Sequence, residues 1–172
     1  KIYGIKVIAR NSEDPIHSTI HADNYFLALI VFIMRFCIYN FANGILTNSL
    51  GSKKSLELFI FKKKKIKTIY NPYLLKIKKV KNLKKKNNIL SVGRLCKQKD
   101  FVTLILGFSI FVKKYPKFKL IILGDGPDKF NLENLIKSLN LQKKIKLKGW
   151  VKKTNKYFSS AKVFALTSVY EG

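Results

Sequence analysis

The sequence predicts an α/β protein built on a doubly wound parallel sheet, and three observations carry that expectation. From residue 88 onward, short apolar runs of strand length alternate with segments that are apolar at helical spacing. The alternation follows the βαβα order that parallel sheets require. Three of the runs lead into glycine, at Gly93, Gly124 and Gly149, where a chain can turn sharply.

Residues 1–9 (KIYGIKVIA) alternate and then become continuously apolar, which predicts a strand. The polar residues 10–15 then form a loop at its carboxyl end, the side on which open α/β sheets bind ligands. His17 and His21 lie four apart, a spacing that can share a metal on one helix face, but no third ligand is near and they read better as surface or loop histidines. Residues 25–42 (YFLALIVFIMRFCIYNFA) are the most apolar stretch. A membrane span needs about 20 apolar residues. Arg35 and Asn40 interrupt this stretch, so a buried or interface-lying helix is expected. Residues 44–48 read as a short strand, and Ser49 caps a helix running to about Phe61. The lysines at 62–65 then sit at that helix's negative pole. Residues 66–70 form another strand, closed by the turn signal Asn71-Pro72.

Between residues 76 and 86, seven of eleven residues are lysine. Such a self-repelling tract extends, so residues 74–87 are expected to form a solvated linker between a domain over 1–73 and one over 88–172. Contact with anionic lipid is its functional alternative. Strands are then expected at 88–92, 118–123, 145–147 and 163–166, with helices at 100–114, 128–139 and 153–160 and a terminal loop over 167–172. The carboxyl ends of these strands would gather Arg94, Asp125, Trp150 and Ser168 along one edge.

At that edge, the stretch from Ile89 to Lys99 (ILSVGRLCKQK) is a strand, a glycine turn with an arginine, and a lysine at the mouth of a helix. Unpaired helix-start amides and the helix dipole favour an anion there, and Arg94 and Lys99 add two full charges, so a phosphate or diphosphate is the natural ligand. Bland alternatives stand beside this. Gly93 and Gly124 can be simple turn glycines, Asp125 can cap the next helix, and Trp150 can be core packing instead of a base-stacking surface. Glu171, one of nine acids and one residue before a glycine, favours a ligand role.

The charge is extreme, with 35 Lys and Arg against 9 Asp and Glu, a formal net of +26. It has two readings: attraction to polyanions, or the drift toward Lys, Ile, Asn and Phe that an AT-rich genome imposes. A nucleic-acid-binding protein is the alternative from another class. The lysines, however, are spread through linkers and helix ends instead of clustering with exposed aromatics. Cys37 and Cys96 have no metal-ligand spacing and suggest a reducing compartment.

Four segments, SVGRLCKQKDF, LIILGDGP, KLKGW and ALTSVYEG, stand in the order and spacing of glycosyltransferase family 4, and the chain resembles those retaining GT-B enzymes that use nucleotide-sugar donors. Less closely, NGILTNS and KIKTIYNPY resemble the segments that close the acceptor domain. The resemblance implies the end of an N-terminal Rossmann-like acceptor domain, a linker and most of a donor-binding domain, truncated at both ends and inactive alone. It implies that Arg94 and Lys99 hold the donor diphosphate beside Gly93. Gly124, Asp125 and Gly126 would then form a turn near the nucleotide, and Gly149 and Trp150 would contact the base. Ser168 belongs to the same donor edge, and Glu171 looks like the first of two glutamates separated by seven residues, hydrogen-bonded to the donor sugar. The resemblance transfers no catalytic role to Arg10 or Asn11, where many members carry a histidine after the first strand. Neither cofactor nor metal is expected. The expected partners are a nucleotide-sugar donor, a glycan or lipid-linked acceptor in polysaccharide or lipopolysaccharide synthesis, and an anionic membrane surface, with no nucleic acid. The expected place is the cytoplasm, peripheral on the inner membrane. A GT-B nucleotide-sugar epimerase would share the donor pocket.

Overall fold

A computed structural model describes residues 4–20, 22, 24–71 and 84–171. The chain divides into two compact units, Lys1–Lys76 with Tyr170–Gly172, and Ile77–Val169.

The first unit contains β1 (Ile8–Asn11), α1 (Pro15–Ile20), α2 (Tyr25–Phe41), β2 (Gly44–Thr47), α3 (Leu50–Glu57) and β3 (Ile66–Thr68). The strands form a parallel sheet in the order β1-β2-β3. Period-two alternation puts Ile45 and Ile66 into a core with Ala42, Leu56 and Ile60, while Ile8 and Lys67 face outward. The first strand lies later than expected and takes in Arg10 and Asn11, which the sequence assigns to a loop. Asn11 tolerates a buried strand position because its amide donates to the Glu13 carbonyl and its Oδ1 accepts from the Tyr39 hydroxyl at 3.3 Å. Pro15 opens α1 where a loop was expected, and Asp14 caps that helix, its Oδ1 accepting from the amides of Ile16 and His17 at 3.0 Å each. His17 lies in α1, and residue 21 lies outside the described residues.

The apolar helix is present as α2, started by Asn24, whose Oδ1 accepts from the Leu27 amide at 3.1 Å. Of the two expected settings, the buried one does not hold, since none of its side chains is fully buried. A helix apolar all round needs cover on every side. Here Phe32 and Phe36 meet Phe59 and Phe61, while much of the rest faces outward. Among the described residues, no helix is long and apolar enough to cross a membrane. The capping of α3 by Ser49 holds, with its hydroxyl accepting from the Ser52 amide at 3.0 Å. The helix stops at Glu57, however, and of the four lysines expected at its end three lie in a 3-10 turn, Lys63–Lys65, that leads into β3, with Lys62 just before it. Lys65 does sit at a helix's negative pole, but that of α2: its Nζ donates to the carbonyls of Ala42 at 2.7 Å and Asn40 at 3.3 Å. The strand expected over 66–70 ends at Thr68.

The second unit contains β4 (Lys86–Val92), α4 (Phe101–Lys114), β5 (Lys119–Leu123), α5 (Lys129–Ser138), β6 (Ile145–Leu147), α6 (Asn155–Ser160) and β7 (Ala161–Phe164). Most of the lysine tract lies outside the described residues. Its last residue, Lys86, already belongs to β4. The sheet is wholly parallel, ordered β6-β5-β4-β7. Phe101, Leu104, Ile105, Phe108 and Val112 make the inward stripe of α4 and pack with Leu120, Ile122 and Ile145 and with Leu132 and Ile136 of α5. On another face, Leu90, Leu123 and Ala161 meet Tyr157 of α6. The last strand lies two residues earlier than expected because α6 runs straight into it, with Ala161 buried at the junction.

Candidate active site

Numbering the strands of the second unit from β4, their spatial order is third, second, first, fourth. The chain therefore winds outward from β4 in one direction and then crosses to the other side with β7. Such a reversal opens a crevice at the carboxyl ends of the strands flanking it. The loops that leave β4, β5 and β6 build the site.

The loops after β4 and β5 are strapped together by their backbones. The Gly93 amide donates to the Leu123 carbonyl, the Leu95 amide to the Asp125 carbonyl and the Asp128 amide to the Leu95 carbonyl, each at 3.0 Å. This close approach explains two glycines. At Gly124, where φ is +137°, a Cβ would stand 1.8 Å from the Gly93 carbonyl oxygen, and at Gly126 it would stand 2.2 Å from that of Leu95. Both are required by the contact between loops. The loop after β6 joins through the Gly124 amide, which donates to the Gly149 carbonyl at 2.8 Å, and Gly149 itself has φ of +67°.

Over these straps lies a cavity of about 510 Å³ whose walls include Gly93, Arg94, Gly124, Asp125 and Trp150. Five residues singled out from the sequence thus meet in one place. Arg94 is exposed. Trp150 is 74% exposed, so its indole is wall and not core packing. Asp125 does not cap the following helix: its Oδ1 accepts from the Gly126 amide at 2.8 Å and its Oδ2 lies 3.9 Å from Lys129 Nζ. Beside the strand ends Val92 and Leu123, the cavity is also lined by Val151 and Thr154. Sequence reasoning missed both, and their only signal was their place just after the Gly149 turn.

The helix-start pocket needs correction. A 3-10 turn, Lys97–Lys99, separates the arginine loop from α4, and Asp100 caps α4 by accepting from the Thr103 amide at 3.1 Å. A carboxylate thus already occupies that positive pole, so the start of α4 is not the expected anion pocket. Lys99 lies on the 3-10 turn and, like Gly126, outside the cavity wall. Its stem lies against Gly93, with Cγ and Cδ 3.6 and 3.7 Å from where a Cβ at position 93 would stand. Ser168 lies outside the cavity wall, on the loop after β7. Its hydroxyl is buried and has no hydrogen-bond partner among the described residues. Glu171 is exposed and falls within the first unit. Among the described residues, no three His, Cys, Asp or Glu side chains gather as metal ligands.

The parallel sheet, its reversal at β4 and the strapped loops over the carboxyl edge define an α/β unit of the GT-B type. The chain belongs to the family described as Glycosyl transferases group 1, whose model matches residues 75–172. It is 33% identical over 172 residues to an uncharacterised glycosyltransferase of Methanocaldococcus jannaschii, covering 92% of this chain and 41% of that protein. Over 177 residues it is 34% identical to the N-acetylgalactosamine-N,N'-diacetylbacillosaminyl-diphospho-undecaprenol 4-alpha-N-acetylgalactosaminyltransferase of Campylobacter jejuni, covering all of this chain and 48% of that protein. The chain therefore spans less than half the length of these relatives. Among solved structures, a TarM variant of S. aureus in complex with fondaparinux, alpha-GlcNAc-glycerol and UDP matches with a TM-score of 0.72 at 24% identity, over 84% of this chain and 28% of that one, a likeness of fold.

Proposed function

We propose that this chain is part of a retaining glycosyltransferase, residues 1–73 being the end of its acceptor domain and residues 88–172 most of its donor-binding domain, and that the enzyme moves a sugar from a nucleotide-diphosphate sugar to a glycan or lipid-linked acceptor. The observation that carries the reading is the cavity at the carboxyl end of β4, where Arg94 and Trp150 stand over loops strapped together through Gly93, Gly124 and Gly149. The name of the Campylobacter relative gives a diphospho-undecaprenol acceptor, and the staphylococcal structure contains UDP. The first supports a lipid-linked acceptor and the second a nucleotide-diphosphate donor, and in the same proposal the enzyme acts in a cell-surface glycan pathway, in the cytoplasm at the inner membrane.

In this reading the diphosphate lies on the Gly93-Arg94 loop. Sugar transfer with retention builds positive charge on the anomeric carbon while negative charge grows on the departing diphosphate. Arg94 and Lys99 stabilise that leaving group without a metal, because fixed charges aimed at a developing anion need no reorganisation during reaction. Trp150 and the Gly149 turn face the base, Asp125 and Gly126 flank the nucleotide, the Ser168 hydroxyl lies on the neighbouring loop, and Glu171 hydrogen-bonds the sugar. In the full-length enzyme, Arg94→Ala with Lys99→Ala should lower turnover about a hundredfold or more. A radiolabelled-sugar transfer assay with product analysis checks this and separates transfer from donor epimerisation. Near-normal transfer by the double variant would sink the assignment.

A further inference from the structure

The loop after β7 is fastened to the turn that carries Lys99. The Thr167 hydroxyl approaches the Asp100 carbonyl at 2.7 Å and the Lys99 carbonyl at 3.3 Å, and the Val169 amide donates to the Gln98 carbonyl at 2.9 Å. The turn needs such a fastening. Asp100 sits at φ of +43°, a left-handed conformation that a non-glycine residue holds only when its surroundings over-determine it. The same residue ends the Lys97–Lys99 turn and caps α4, so a slip there would move the lysine and the helix start together.

From this geometry we infer that Thr167 is a positioning residue for Lys99. Its hydroxyl donates its one proton to the Asp100 carbonyl, with the Lys99 carbonyl as the longer arm, which fixes the backbone from which the Lys99 stem runs past Gly93, the residue before Arg94. Thr167 lies outside the cavity wall and acts through the lysine. The inference rests on the reading that Lys99 holds the donor diphosphate. It adds that the loop after β7 sets the lysine's aim, so that one side of the chain reversal tunes the cation on the other.

The test is calorimetric titration of the full-length protein with UDP and with GDP. Thr167→Val keeps the shape and removes the hydroxyl, and Thr167→Ser keeps the hydroxyl. Losing that neutral hydrogen bond should weaken nucleotide affinity about five- to tenfold in Thr167→Val, with Thr167→Ser close to the parent. In a Lys99→Ala background, Thr167→Val should add nothing further. Parental affinity in Thr167→Val, or an equal loss with and without Lys99, would overturn the positioning role and leave the donor-site reading intact. If Lys99→Ala itself binds nucleotide like the parent, the role of Lys99 falls and Thr167 falls with it. A thermal melt of each variant separates these outcomes from unfolding, and Thr167→Ser keeps the test decisive if the valine variant does not fold.

Discussion

Gly124 and Gly93 occupy equivalent places after neighbouring strands, yet their backbones ask different things of the residue. A side chain at 124 would collide with a carbonyl 1.8 Å from its first carbon and would hold a φ of +137°, whereas one at 93 would meet Phe101 at 3.4 Å, ordinary contact. Gly124→Ala should therefore cost about 3 kcal/mol or more, or prevent folding. Gly93→Ala should stay within about 1 kcal/mol of the parent, both measured by denaturant unfolding. The sequence marked both positions but not this difference, since the clash comes from a chain segment some thirty residues away. That Arg94 and Lys99 share one corner was legible, because the lysine follows the glycine turn within six residues. Trp150 was not, because a lone tryptophan after a glycine serves a wall or a core equally well until its 74% exposure is known.

Among the elements, α1 shows how a short helix is held. Burial alone would raise the Asp14 pKa; the Ser55 hydroxyl, the amides of His17 and Ile16 and the nearby His17 outweigh it and hold the carboxyl below its ordinary value. Its hydrogen bond to Ser55 also ties α1 to α3. With the folded pKa depressed, this stabilisation is complete above the unfolded value near about 3.9 and is lost as pH falls through the lower folded value. Asparagine keeps the cap without the charge. Asp14→Asn should therefore be about 1 kcal/mol less stable at neutral pH, with the gap closing in acid. Unfolding curves across the pH range would show this, and a gap independent of pH would contradict it. The sequence concealed this helix because Asp14-Pro15 reads as loop. It also ended the first strand too early, because the buried Asn11 is satisfied partly by the Tyr39 hydroxyl, 28 residues away. The helix of 101–114 was clear beforehand, since its apolar stripe needs no information beyond its own spacing.

For the whole molecule, 35 basic side chains against 9 acidic ones make self-repulsion a standing cost of compactness. Raising the ionic strength from about 0.02 to about 0.15 M shortens the screening length to about 8 Å and should raise the melting temperature by several degrees. Scanning fluorimetry across a sodium chloride series checks this, and a flat or falling curve would mean that the charges are already compensated. The placing of β7 beside β4 has a different consequence, in the order of assembly. Ser91 donates to the Ala165 carbonyl across 74 residues of chain, far longer than the span between β4 and β5. Closing that loop costs entropy before any contact repays it. The β4–β5 pair should thus form early and β7 dock late, so the amides of β7 and of the turn that Thr167 holds should exchange with solvent sooner than those of β5.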